Sequence, residues 1–166
     1  MWTFTNCILI LTAITTALMA GLFYAWSCSV IPGLGRLPDT DYIRAMQEMN
    51  RTIQNPVFFA AFMGTILLLP LSTWMSYRQP GLGRFWFLLA ASAAYLLGVF
   101  GVTIFGNIPL NDALDGFHLG AATGSEIAAQ RARFEGPWNA LNTVRTVASV
   151  LSILLVILAC LSRTEK

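Results

Sequence analysis

The chain has 166 residues, 56% of them hydrophobic and only 11% charged, with a net charge of +2. Soluble domains carry roughly 25% charged residues, so ten Lys or Arg and eight Asp or Glu cannot coat a soluble globule of this length. The weak positive balance forms no basic run, which argues against nucleic acid; a mean hydropathy of +0.65 makes the lipid bilayer the main partner.

Residues 4–30 form the first apolar stretch long enough to cross a bilayer, which needs about 20 residues of helix. It lacks a basic leader and a cleavage pattern, so it reads as a retained helix and not a signal peptide. Ala13, Ala17, Gly21 and Ala25 recur every four residues along it, a spacing that predicts close helix packing on that face. Next, over 41–54, Tyr42, Met46, Met49 and Ile53 fall at helical spacing, with Arg44, Gln47, Glu48 and Arg51 on other faces. This predicts a short amphipathic helix, capped by Asp39 or Thr40, lying across the end of the bundle as a lid.

The second span covers 56–77 and the third 85–105, joined by a short turn through Pro80 and Gly81. Ala60 with Gly64, and Ala90, Ala94, Gly98 and Gly101, extend the small-residue pattern. A long connection over 106–137 leads to the fourth span, 138–161. Within it, 125–134 reads as a weaker counterpart of the lid. Asn55-Pro56 and Gly136-Pro137 suit helix starts, where the missing proline amide is not needed. The expected architecture is therefore all-α: one integral membrane domain over 1–166, a four-helix bundle with an amphipathic extramembrane helix between helices 1 and 2. Arg78, Arg84, Arg163 and Lys166 crowd one side, which by the positive-inside rule puts both termini in the cytoplasm and the long loops outside an inner or plasma membrane. A homo-oligomer is compatible with these features.

Cys7, Cys28 and Cys160 are odd in number and lack metal-ligand spacing, so they read as inert thiols. Polar residues inside the spans are more informative. Arg145 lies about two turns into the fourth span, where an arginine costs on the order of 3 kcal/mol unless it is paired or hydrated. Trp138 and Asn142 share its face, Asn139 lies close to it, and Asn50, Asn55, Asn107 and Asn111 belong to the same end of the bundle, with Glu48 and Glu135. Two readings are open. Arg145 pairs internally with Glu48 or Glu135, or it presents a fixed positive charge in a polar pocket to an anion or enolate oxygen. His118 is the only histidine. A single histidine does not make a haem or copper site, so it reads as a solvated loop residue or a general base. Phe23, Tyr24, Trp26, Phe58, Phe59, Phe62, Phe100 and Phe105 crowd the same halves of the helices, enough to line a slot for a flat ring.

Four motifs carry a family resemblance. Gly21-x-Phe23-x-Ala25-Trp26 leads into Ile31-Pro32-Gly33-Leu34; Met46-Gln47-Glu48-Met49-Asn50 precedes Asn55-Pro56; Asn107-Ile108-Pro109-Leu110-Asn111-Asp112-Ala113-Leu114 follows the third span; and Trp138-Asn139-x-x-Asn142-x-x-Arg145-Thr146 opens the fourth. In this order they resemble the anthrone oxygenase-like family of small four-helix membrane proteins, many bacterial members of which have no assigned activity. The resemblance implies an oxidoreductase, a monooxygenase acting on hydrophobic polycyclic phenols or anthrones. On chemical grounds such a site needs no metal and no organic cofactor, only molecular oxygen as co-substrate, a base, an oxyanion clamp and a flat apolar slot. Arg145 with Asn142 and Asn139 would be the clamp, Asn50 and Asn111 would add donors, and Glu48, Glu135 or His118 would be the base. Asn55, Asn107 and Trp138 complete the expected substrate site. The alternative is a non-enzymatic membrane protein that binds a lipid, a quinone or a partner protein.

Overall fold

A computed structural model describes residues 3–77 and 82–162. Among these residues there is no strand. Four helices are long and apolar enough to cross a membrane: α1 (Phe4–Leu34), α3 (Pro56–Tyr77), α4 (Gly83–Asp115) and α5 (Gly124–Leu161). The amphipathic α2 (Asp39–Thr52) connects the first two. In the bundle α1 packs against α3 and α5, and α4 against the same two helices, so sequence neighbours run antiparallel up and down. The expected integral membrane bundle is what the chain forms. Arg78, Arg163 and Lys166, part of the basis for its orientation, and the Pro80-Gly81 turn lie outside the described residues.

Three of the spans run further than their apolar stretches suggest, and prolines are the reason the ends were misplaced. Pro32 and Pro109 each follow an isoleucine near the end of a span, and each reads as a stop. Instead π turns at Trp26–Val30 and Thr103–Asn107 precede them. There the amide of Ile31 donates to the carbonyl of Trp26, and that of Ile108 to Thr103. Widening the turn shifts each carbonyl to an amide five residues on, so the helix passes a proline that has none to donate. The third motif is therefore helical through Asp115, not loop.

The fourth span differs more. Pro137 does not start a helix but lies inside α5. The start is at Gly124, where Thr123 and Glu126 form a reciprocal capping box: the Thr123 hydroxyl accepts from the Glu126 amide, and the Glu126 carboxylate accepts from the Thr123 amide. Residues 125–134 are thus the first turns of α5 and not a separate lid. Pro56 behaves as expected, because the Asn55 side chain accepts from the Phe58 amide at 3.0 Å and breaks the chain into α2 and α3.

Packing inside the span region relies on hydroxyls as much as on small residues. Thr12 bonds Ser72 at 2.7 Å, Thr73 bonds Ser92 at 3.0 Å, and Ser152 donates to the carbonyl of Ala91 at 3.2 Å. These tie α1 to α3, α3 to α4 and α4 to α5 around a core of Met19, Phe62, Leu69, Leu88, Tyr95, Val99 and Val156. Gly98 lets α4 and α5 approach closely: a Cβ there would lie 2.5 Å from that of Ala148. Of the small-residue face expected on α1, Ala13 alone packs against the core. Ala17, Gly21 and Ala25 are exposed, and the buried face carries Thr12, Thr16, Met19, Ala20 and Phe23. Where hydroxyls can bond across to a neighbour, they outcompete a smooth seam that offers only dispersion.

At the α2 end a second core forms from Tyr42, Ile43, Met46, Leu114, Ile127, Phe134 and Trp138. It holds α2 against α5 and the end of α4. Gln47 donates to the carbonyls of Leu114 and Phe117, joining the Phe117 amide on the first and satisfying the second just beyond the end of α4.

Candidate functional site

Arg145 stands where α1 and α5 pack, with its residue only 7% exposed. Its Nη2 donates to Asn142 Oδ1 at 2.9 Å, and its Nε has no partner. The guanidinium lies 4.8 Å from the ring centre of Phe23 and 5.2 Å from that of Trp138. Each such ring attracts the cation by about 2 kcal/mol when water is excluded. A desolvated ion loses several kcal/mol of hydration, so rings and one amide leave the charge undercompensated. No carboxylate among the described residues pairs with it. Glu48 pairs instead with Arg51 at 3.0 Å, and Glu135 with Arg131 at 2.7 Å. The internal salt bridge is not formed.

A one-way chain of hydrogen bonds sets the amide beside it. The one hydroxyl proton of Thr146 is shared between the backbone carbonyls of Phe23 and Asn142, and its oxygen then accepts from Ser27 at 2.7 Å. The Ser27 oxygen in turn accepts from Asn142 Nδ2 at 3.0 Å. With its nitrogen so committed, Asn142 has only Oδ1 to offer Arg145. Ser27 sits in the π turn of α1, which carries its hydroxyl to α5.

A cavity of about 270 Å³ opens from this charge. Its deep end holds Phe23, Trp138, Asn142 and Arg145. Phe58 and Phe62 stack at 5.2 Å and 20° along one wall, and Phe62 meets Phe100 at 5.9 Å. Asn50, Ile53 and Gln54 line it from the end of α2, and Asn111 and Asp112 from α4. Asn50 is 8% exposed and its Nδ2 has no partner. Among the lining residues the buried polar atoms without partners are both donors, Arg145 Nε and Asn50 Nδ2, and they suit an oxygen that accepts. Asp112 is the one carboxylate among the described lining residues; it is exposed and makes no ion pair with them.

Of the residues singled out from sequence, Arg145, Trp138, Asn142, Asn50 and Asn111 come together here. Asn111 Oδ1 accepts from Trp138 Nε1 at 2.8 Å and sets the indole against the guanidinium. Of the expected aromatic slot, Phe23, Trp26, Phe58, Phe59, Phe62 and Phe100 line the cavity too, whereas the other polar candidates do not. Asn55 caps α3. Asn107 is buried at the end of the π turn Thr103–Asn107, with neither side-chain polar atom partnered. The carbonyl of Asn139 accepts from Thr143, and its side chain is not in the lining. Glu48 and His118 are exposed, and Glu135 is engaged with Arg131. Phe105, 84% exposed, faces outward. Asp112 and Ser27 were missed. Asp112 stands inside the third motif, and reading that motif as helix would have placed it one turn beyond Ile108. For Ser27 no sequence signal existed.

Among the described residues no three His, Cys, Asp or Glu side chains gather as they would around a metal ion. The family model described as anthrone oxygenase matches residues 56–155, more than half of the chain and including Asn111, Asp112, Trp138, Asn142 and Arg145. No curated protein and no solved structure shows a significant match.

Proposed function

The chain belongs to the anthrone oxygenase family, and we propose that it oxidises a hydrophobic polycyclic phenol of the anthrone type with molecular oxygen, using no resident cofactor. The observation that carries this reading is a buried arginine without an acidic partner at the closed end of an aromatic-walled cavity. An anthrone methylene is acidic because its carbanion is delocalised through two rings onto the carbonyl oxygen. Arg145 Nε and Asn50 Nδ2 supply donors where that negative charge develops, and Phe58 and Phe62 supply a flat wall. Preorganised donors of this kind act strongly where water is excluded.

Asp112 takes the base role that the sequence offered to Glu48, Glu135 or His118. It accepts one methylene proton, leaving the electron pair on the ring system as the enolate. Oxygen accepts that pair at the former methylene carbon, forming a C–O bond and, after protonation, a hydroperoxide. Loss of the second proton from that carbon breaks the O–O bond. One oxygen stays as the new ketone and the other leaves as water. Each turnover consumes one oxygen and one anthrone and yields one anthraquinone and one water. On this reading the α2 end faces outward from an inner or plasma membrane and both termini lie in the cytoplasm.

Purified protein in lipid, given an anthrone, is expected to consume oxygen in equal amount to the quinone formed. Arg145→Lys keeps the charge but loses the planar fork, and turnover is expected to fall about 100-fold, the usual scale for losing one oxyanion donor. Saturable binding with no oxygen uptake above the protein-free rate would overturn the proposal.

A further inference from the structure

The cavity is not closed on all sides, and its open side faces the wrong way for a water-soluble ligand. α3 and α4 pack together along Leu82–Tyr95. Beyond Tyr95 the π-helical part of α4 packs on α5 instead. The Phe62–Phe100 contact is the floor of the gap that results. Above it the rim carries Phe59, Met63 and Ile108, which are 44%, 43% and 39% exposed, while Gln54 and Asp112 mark its upper edge. Met63 lies two turns into α3 and Ile108 one turn below Asp112, so the slot extends about 10 Å down the side of the bundle at 1.5 Å per residue. Met63 thus stands seven residues inside an apolar helix of 22 residues that is long enough to cross a bilayer. On the end facing water, Met49, Asn50 and Ile53 of α2 and its exit cover the cavity.

We propose that the cavity takes its ligand sideways from the bilayer, through the slot between α3 and α4, and that the ligand is a flat apolar molecule carrying one anionic or carbonyl oxygen. The two unpartnered buried donors of the lining, Arg145 Nε and Asn50 Nδ2, require the acceptor oxygen; the exposed apolar residues of the rim require the rest of the molecule to be lipid-soluble. Such a molecule enters with its ring plane along the slot and turns its oxygen toward Arg145, while α2 keeps water from the charge. The inference rests on the cavity described above but not on any oxidation within it.

The test uses 1-hydroxypyrene, a fluorescent polycyclic phenol, with the full chain in phosphatidylcholine vesicles, followed by energy transfer from tryptophan. With wild-type protein, lipid is varied at fixed total probe. The association rate is expected to follow the mole fraction of probe in lipid; a rate that follows free aqueous probe overturns the proposal, as does a lack of saturable binding. Met63→Trp and Ile108→Trp narrow the mouth and are expected to slow association and dissociation at least tenfold with affinity nearly unchanged. Val147→Trp, on another exposed face, is expected to match the wild type. Wild-type rates in both mouth variants would overturn the route. The lipid-dilution arm needs no variant, so misfolding does not blunt it. Binding by this route without oxygen uptake would refute only the proposed reaction.

Discussion

Arg131 and Arg145 lie on one helix about four turns apart, and their surroundings are opposites. Arg131 is fully engaged: it bonds Glu135 at 2.7 Å, Asp39 at 2.9 Å and the carbonyls of Leu37 and Gly35, and it covers the ring of Tyr42 at 4.4 Å. Arg145 has one amide and two rings. The first arginine clamps the α1–α2 connection to α5 and has nothing left for a ligand. The second has charge and a donor to spare, and a cavity in front of them. A buried cation is informative through its partners more than through its depth.

Replacing each arginine by methionine should separate the two roles. Arg145→Met is expected to cost about 100-fold in turnover while raising stability, by about 2 kcal/mol, because an undercompensated buried charge gives way to apolar packing. Oxygen uptake and thermal midpoint measured on one preparation check both signs; a lowered midpoint would make Arg145 structural. Arg131→Met is expected to act in reverse. It strands two carboxylates and two carbonyls and should destabilise by about 2 kcal/mol, discounted for the partial exposure of Asp39. Turnover per folded molecule should stay within about twofold.

Ser27→Ala sharpens the contrast at smaller scale. It removes the acceptor that orients Asn142, a change of about 1 kcal/mol for a neutral hydrogen bond, and so frees the amide to turn from Arg145. kcat per binding-competent molecule is expected to fall about fivefold with KM little changed; counting binding-competent protein separates this from a loss of folded protein, which lowers only the rate per total protein. The smallest effect concerns Tyr42. Burial, with Glu135 nearby, raises its phenol well above the ordinary value of 10.0. Its contribution to stability is complete below pH 10 and is lost as pH climbs further, since the unfolded phenol ionises first. Tyr42→Phe should therefore flatten the decline of the thermal midpoint above pH 10, and an unchanged slope would show that Tyr42 titrates normally.

Legibility followed the range of the interaction involved. Trp138, Asn142 and Arg145 were found because helical spacing puts them on one face, and α2 was found by the same rule. Asp112 was hidden because Pro109 reads as the end of a helix, and only the π turn before it shows that the helix goes on. The α1 seam was misassigned because small residues at every fourth position predict a contact only if the partner helix meets that face. Thr12 and Ser72 meet on another one.

The sequence by itself determined the membrane class, four spans, the amphipathic α2 and the one arginine set well inside a span. These depend on composition and on the period of a single helix, both local properties. Glu48 with Arg51 and Glu135 with Arg131 stand three and four residues apart, each pair on one helix, so their pairing is local as well. Tertiary structure decided that Arg145 meets Phe23 and, among the described residues, no carboxylate, that Asp112 reaches the cavity, and that α3 and α4 part above Phe62. A cavity is the space that several helices fail to fill, and what surrounds a buried charge is set by all of them. Neither quantity belongs to any one segment, so no segment could report it.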